Sequence, residues 1–151
     1  MRKELFFIGM LVIASLFAGC SKEKEENVPL IGRWEFSSQK ADVKTSDEDY
    51  NNNIRTSFEI KSATTPIWTF KEDNKVTIQR FLSISEYLYS VEGNELTIIH
   101  PVTNSAVAYF EYSISGNTLT LYEDVTEEVR DALKDYEIEV EKLVIIQKFV
   151  R

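Results

Sequence analysis

The chain has 151 residues, with 17 lysine or arginine residues against 25 aspartate or glutamate residues, so its formal net charge is −8. The basic residues are not clustered, and this distribution argues against a nucleic-acid partner. The only cysteine is Cys20, so an intramolecular disulfide cannot hold the fold together.

The N-terminus has the pattern of an export signal. Arg2 and Lys3 precede an apolar run from Leu5 to Phe17, and these are the two opening parts of a secretory signal peptide. The run has about 13 residues, whereas a spanning helix needs about 20, so we do not expect it to cross the membrane as a stable helix. Residues 1–19 are therefore predicted to be a cleaved signal.

The signal ends in the run Leu16-Phe17-Ala18-Gly19-Cys20. This run resembles the lipobox of bacterial lipoproteins, in which small residues precede a cysteine that is acylated and becomes the new N-terminus. Leucine stands one position earlier than usual, with Phe17 in its place. The resemblance implies that lipid on Cys20 anchors the mature chain to a membrane, which accounts for a cysteine that a free thiol would leave unexplained.

Residues 20–27 are predicted to be the lipidated cysteine and a flexible tether, because Ser21 to Asn27 is wholly polar. Serine after the cysteine resembles outer-membrane sorting. The Glu-rich stretch resembles the tether with which Bacteroidetes-type bacteria display lipoproteins on the cell surface, and a plain spacer is the alternative. We expect an outer-membrane lipoprotein that faces either the periplasm or the exterior.

Residues 28–151 predict one all-β domain. Three stretches, at 68–78, 89–98 and 112–121, each alternate apolar and polar residues around a polar turn that contains Asp-Asn or Gly-Asn. Such turns between alternating runs are a strong signal for a hairpin, because these residues tolerate positive φ. Three hairpins in series make six strands of a meander.

Two further strands complete the set, since Leu30 to Gln39 alternates and Lys142 to Val150 is rich in Val and Ile. An eight-stranded meander leaves no exposed edge when it closes on itself. We therefore predict an antiparallel up-and-down barrel, whose interior is wide enough for side chains or one small ligand.

Two segments interrupt the strand pattern and predict short helices. Apolar side chains stand four residues apart in the first, at 47–62. The second, at 124–136, has an apolar stripe and begins with Asp124 and Glu127 at the spacing of a capping box. We expect these helices to pack against the barrel.

The run Ile31-Gly32-Arg33-Trp34 opens the first predicted strand. It resembles the Gly-x-Trp opening of the lipocalins, and with the repeated tyrosine hairpins residues 28–151 resemble the lipocalin-like lipoproteins of Bacteroidetes. The resemblance implies that Trp34 closes the narrow end of the barrel beneath a basic residue of the last strand, for which Lys148 and Arg151 are the candidates. It implies a fold rather than a ligand.

The tight turns near residues 73, 93 and 116 fall at one end of such a meander, so the longer connections form the candidate mouth at the other end. Period-two alternation points Arg80 inward near this mouth, where an unpaired arginine invites an anionic group. A salt bridge to Glu86 or Glu111 is the alternative. The residues predicted to contact a ligand are Arg80, Tyr87, Tyr89, His100 and Trp68.

No residue pattern supports catalysis. The single histidine has no free cysteine to activate, and neither a His/Cys/Asp cluster with metal-ligand spacing nor a Gly-rich phosphate loop is present. We therefore expect a protein that is not an enzyme and needs no metal or cofactor.

Two functions remain. The leading hypothesis is a lipid-anchored binding module for a small apolar or amphipathic anionic ligand. The alternative is an interaction or structural subunit of a cell-envelope complex, whose barrel is filled by its own aromatic side chains. The sequence names neither the ligand nor a protein partner.

Overall fold

The computed structural model describes residues 29–61, 63 and 65–151. The predicted signal peptide, Cys20 and the tether lie outside these residues. In the described part, eight antiparallel strands close into a barrel in chain order, and the last strand pairs with the first. The predicted all-β, eight-stranded up-and-down barrel is confirmed. No helix of the described part is long and apolar enough to cross a membrane.

The elements follow one another in the order β1 (Gly32–Thr45), α1 (Glu48–Phe58), β2 (Ile67–Phe70), β3 (Lys75–Arg80), β4 (Ser83–Glu92), β5 (Glu95–Ile99), β6 (Ala106–Ser115), β7 (Thr118–Asp124), α2 (Thr126–Leu133), a 3-10 turn (Lys134–Tyr136) and β8 (Val140–Val150). The three predicted hairpins are β2–β3, β4–β5 and β6–β7. Their turns hold Asn74, Gly93 and Gly116 at φ of 58°, 62° and 56°, a conformation that Asn and Gly adopt at low cost.

The first strand is longer than predicted. It runs on to Thr45 and pairs with β8 from Glu35 to its end. A bulge between Phe36 and Ser38 shifts the alternation, so that Gln39 faces the same side as Phe36. The alternation that predicts a strand in the sequence is therefore interrupted near Gln39, although β1 itself continues to Thr45.

Both helices are shorter than predicted. Helix α1 begins after Asp47, whose carboxylate accepts a hydrogen bond from the Tyr50 backbone N–H at 3.0 Å. It ends at Phe58 because Ile60 forms a β-bridge with Gln39. The segment from residue 59 to 62 is therefore not helical where the structure describes it.

The predicted capping box at the second helix is wrong. Asp124 is the last residue of β7, and its carboxylate accepts hydrogen bonds from the backbone N–H and the hydroxyl of Thr126. Helix α2 therefore starts at Thr126, and the residue before it, Val125, provides no side-chain cap. Residues 134–136 continue the helix only as a 3-10 turn.

Large apolar side chains fill the closed half of the barrel, the half that contains the tight turns. Trp34, Phe70 and Phe149 are fully buried there, and the Phe36 and Phe149 rings meet edge to face at 5.6 Å. The buried core residues come from β1 to β8 and from Leu30. Residues 29–151 thus contain every strand of the barrel together with its core, and we treat them as a unit that folds on its own.

Trp34 lies at the closed end. Its indole Nε1 donates to the Leu30 carbonyl at 2.7 Å, and the Arg151 guanidinium lies over its ring. Gly32 has a φ of 132°, and the Arg151 Nη1 is 3.9 Å from where a Cβ on Gly32 would stand. Of the two candidate basic residues, Arg151 is therefore the one beside Trp34. Lys148 is exposed, and in the strand register it stands opposite Ser38 of β1 and Thr120 of β7.

Candidate functional site

A cavity of about 450 Å³ lies at the mouth of the barrel, within the size range of small-molecule sites. The inward faces of the strands and described residues of the segment between α1 and β2 form its walls. The residues that line it are Phe36, Gln39, Ile60, Ala63, Thr65, Pro66, Trp68, Ile78, Arg80, Tyr87, Ile98, Val107, Ala108, Phe110, Glu123 and Gln147.

The floor of the cavity is apolar. Trp68, Ile78, Ile98 and Phe110 are buried and belong to the same cluster as the closed-end core. The Trp68 and Phe110 rings meet edge to face at 5.9 Å. Period-two alternation brings these side chains inward, one strand after another, so the floor follows from the hairpin pattern.

Trp68 also carries a polar atom, its indole N–H. The side chain is 4% exposed, and its indole N–H is buried with no hydrogen-bond acceptor among the described residues. A buried donor without a partner costs about 1–3 kcal/mol. Because this N–H is itself buried, it does not open onto the cavity, which meets other atoms of the Trp68 side chain.

Arg80 stands at the rim, as the last residue of β3. It is exposed and lines the cavity, and no described carboxylate lies within 4.0 Å of its guanidinium. The alternative that we considered, a salt bridge to Glu86 or Glu111, is not formed. Glu86 pairs with Lys71 at 3.0 Å and with Lys75 at 3.8 Å.

Glu111 cannot reach into the mouth, because it points away from the interior. Its neighbour Phe110 faces the core, and successive residues of a strand face opposite sides. Across the sheet, Glu111 stands opposite Glu95 and Tyr122. The Arg80 guanidinium is thus available to an anionic group at the mouth.

The structure brings three of the five predicted ligand contacts together. Arg80, Tyr87 and Trp68 line the cavity. Tyr89 lies deeper, packed edge to face on Phe70 at 5.1 Å, and its hydroxyl donates to the Lys71 carbonyl at 2.9 Å. Burial raises the pKa of the Tyr89 phenol.

His100 does not line the cavity either. Its Nδ1 accepts hydrogen bonds from the backbone N–H groups of Val102 and Thr103, both at 3.3 Å. The imidazole therefore organises the turn between β5 and β6. Alternation predicts on which side of a sheet a residue lies, but neither its depth in the barrel nor the hydrogen bonds of a turn.

Glu123 was not predicted as a site residue. It is half-buried, lines the cavity and follows the inward-facing Leu119 and Leu121 at the same period of two. That period was the signal that could have found it, but the third predicted hairpin ended at residue 121. Burial raises the pKa of the Glu123 carboxyl, and the nearby Glu128 raises it further.

Two glutamine side chains were missed as well. The Gln147 amide donates to the Gln39 Oε1 at 3.1 Å, and the Gln39 amide donates to the Phe58 carbonyl at 3.3 Å. The bulge in β1 concealed the inward orientation of Gln39, and Gln147 lies opposite it on β8. The wall formed by β7, β8 and β1 is therefore polar above an apolar floor.

This arrangement suits the binding of an amphipathic molecule, since apolar area and polar groups are present at different depths. Within residues 29–61, 63 and 65–151, no three His, Cys, Asp or Glu side chains come together as metal ligands. No family model matches the chain, and comparisons with curated proteins and with solved structures give no significant match.

Proposed function

We propose that this chain is a membrane-anchored lipoprotein whose barrel binds a small amphipathic anionic molecule at its mouth. The observation that carries the proposal is a cavity that combines an apolar floor around Trp68 with the Arg80 guanidinium at its rim, which no carboxylate of the described residues approaches within 4.0 Å. The apolar part of the ligand rests on the floor, and its anionic group meets Arg80.

The two parts of the cavity contribute differently. Each Å² of apolar surface that the ligand buries on the floor contributes about 25 cal/mol, so the floor supplies most of the affinity. A carboxylate or phosphate at Arg80 gains charge-assisted hydrogen bonds, weakened by the solvent at the exposed rim. Arg80 therefore supplies the preference for acids over neutral analogues.

The anchor in this proposal rests on the lipobox resemblance that ends at Cys20. An acyl chain and a short polar tether keep a binding barrel close to a membrane surface. A ligand with an apolar part and an anionic head is a molecule that partitions at such a surface, so anchor and cavity fit one function.

Titration of residues 27–151 with a fluorescent fatty acid and with its neutral methyl ester tests the proposal. We expect saturable binding of both, with Arg80→Gln weakening the acid about fivefold to tenfold and leaving the ester unchanged. Lys148→Gln removes an exposed cation away from the cavity and serves as the control. Absence of saturable binding by either probe would reject the binding function.

A subunit of an envelope complex is the second candidate. The observation in its favour is the turn between β3 and β4, where the Phe81 side chain is 82% exposed and that of Leu82 is fully exposed. Exposed large apolar side chains that adjoin one another are typical of interaction sites. If the protein is such a subunit, wild-type protein from solubilised membranes should run in a native gel as part of a larger complex, and the double variant Phe81→Ser/Leu82→Ser should run as the free protein. If it is only a binding module, wild type and the double variant should have the same mobility.

A further inference from the structure

Arg80 and Glu123 lie on opposite walls of the cavity. Arg80 ends β3, Glu123 belongs to β7, and both line the same cavity. The strands follow one another around the closed barrel in chain order. Strands three and seven of a ring of eight have three strands between them in either direction, so these two residues face each other across the interior.

The two charged groups do not pair with each other. Among the described residues, the Glu123 carboxylate has no cation within 4.0 Å and accepts no hydrogen bond, and the Arg80 guanidinium has no carboxylate within the same distance. Other acid–base pairs of this barrel are close together, for example Lys71 and Glu86 at 3.0 Å. The gap across the mouth therefore separates a cation from an anion, neither of which has an ionic partner in the described part of the chain.

Glu123 lies in surroundings that disfavour its charge. It stands opposite Ile145 on β8 and lines the cavity together with the buried Phe110, and the negative charge of Glu128 on α2 raises its pKa. A carboxylate that is half-buried beside another acid gains most from a cationic hydrogen-bond donor. A hydroxyl group would supply the hydrogen bond but would not compensate the charge.

We infer that the cavity takes a zwitterionic amphipathic molecule, with its anionic group at Arg80, its ammonium group at Glu123 and an apolar segment between them on the floor. The inference rests on the proposed function and specifies its ligand class. Trp68 belongs to the apolar floor on which the segment between the two charged groups rests.

The experiment compares three probes of equal length by calorimetry with residues 27–151 at pH 7. The probes are octanoate, 8-hydroxyoctanoate and 8-aminooctanoate. We expect 8-aminooctanoate to bind about tenfold more tightly than the other two, the lower end of what a hydrogen bond between charged groups contributes. Glu123→Gln should abolish this difference, while octanoate binds as tightly as before or more tightly.

Glu111→Gln is the matched control, because it removes an acid from the outer face of the neighbouring strand β6. It should leave all three affinities unchanged. The inference is overturned if 8-aminooctanoate binds wild type no more tightly than octanoate or 8-hydroxyoctanoate does, a result that needs no variant. It is also overturned if Glu123→Gln changes the three affinities by one common factor.

The outcomes separate this inference from the proposed function. Octanoate that binds in an Arg80-dependent manner, with no gain from the amine, would reject the zwitterion and keep the anionic ligand. Failure of all three probes and of the fluorescent fatty acid would reject the binding function, and the zwitterion with it.

Discussion

The guanidinium of Arg151 lies over the indole of Trp34, with its Cζ 4.6 Å from the ring centroid. The same guanidinium donates to the Pro29 carbonyl at 3.4 Å, and the Arg151 backbone N–H donates to Asn117 at 3.1 Å. Arg151 thus covers the closed end of the barrel and links the residues before β1 with the turn between β6 and β7.

Trp34→Ala should lower the free energy of unfolding by about 3–5 kcal/mol, because the ring is fully buried and its removal leaves a cavity. Arg151→Ala should lower it by about 0.5–1 kcal/mol, the range of an exposed cation–π contact. Urea denaturation of residues 27–151 measures both values, with Lys148→Ala as a control of unchanged stability. A Trp34→Ala variant as stable as wild type would contradict a structural role for this tryptophan.

Asn51 is a polar residue of α1 that is 2% exposed. Its Oδ1 accepts from the Thr45 N–H at 2.9 Å, and its Nδ2 donates to the Glu48 carboxylate at 3.0 Å and to the Thr45 carbonyl at 3.4 Å. Asn51→Ala should therefore cost about 1–3 kcal/mol. As the control, Asn53→Ala at an exposed position of the same helix should leave the free energy of unfolding equal or slightly higher. Urea denaturation measures both variants, and equal effects of the two substitutions would contradict the role of Asn51.

The raised pKa of Glu123 predicts a pH dependence of stability. Burial, followed by Glu128, raises the pKa of this carboxyl above 4.5, its ordinary value. The folded state therefore binds the proton more tightly than the unfolded state does. The stability that this proton provides is complete below pH 4.5 and is lost as the pH rises through the folded-state pKa.

Glu123→Gln should accordingly be more stable than wild type at pH 7, and the difference should disappear at acidic pH, where Glu123 is protonated in both states. Melting temperatures measured from pH 4 to pH 8 test this, with Glu111→Gln as the control. A stability difference that stays constant over this range, or a variant less stable than wild type at pH 7, would contradict the half-buried position of the Glu123 carboxyl.

The two tryptophans make the cavity observable by fluorescence. Trp68 lines the cavity, whereas Trp34 lies at the closed end with its N–H bound to Leu30. Addition of a non-fluorescent fatty acid should shift the tryptophan emission of wild type and of Trp34→Phe. The emission of Trp68→Phe should not respond, and a response of Trp68→Phe equal to that of wild type would place the ligand elsewhere.

Cys20→Ser tests the proposed anchor. Wild-type protein in cells that are fed alkyne-palmitate should take up the label, and the variant should not, because the serine hydroxyl does not replace the thiol as the acyl acceptor in this reaction. Signal-cleaved variant should then leave the carbonate-washed membrane fraction. Equal labelling of both proteins would show that the lipid is attached elsewhere.

The barrel could be predicted from the sequence alone, because its signals are local. Each hairpin combines a turn residue that tolerates positive φ with alternation at period two, and eight such strands in series have no other way to remove both edges. The same alternation placed Arg80, Tyr87 and Trp68 on the inner side, and the structure finds them together around the cavity.

Only the tertiary structure decided how deep each inward residue lies and which residues face one another. The bulge after Phe36 turns Gln39 into the cavity, and Tyr89 reaches the Lys71 carbonyl instead of the mouth. The opposition of Arg80 and Glu123 spans 43 residues of sequence and arises when β8 closes onto β1. Register and closure depend on contacts between distant strands, so no local pattern carries this information.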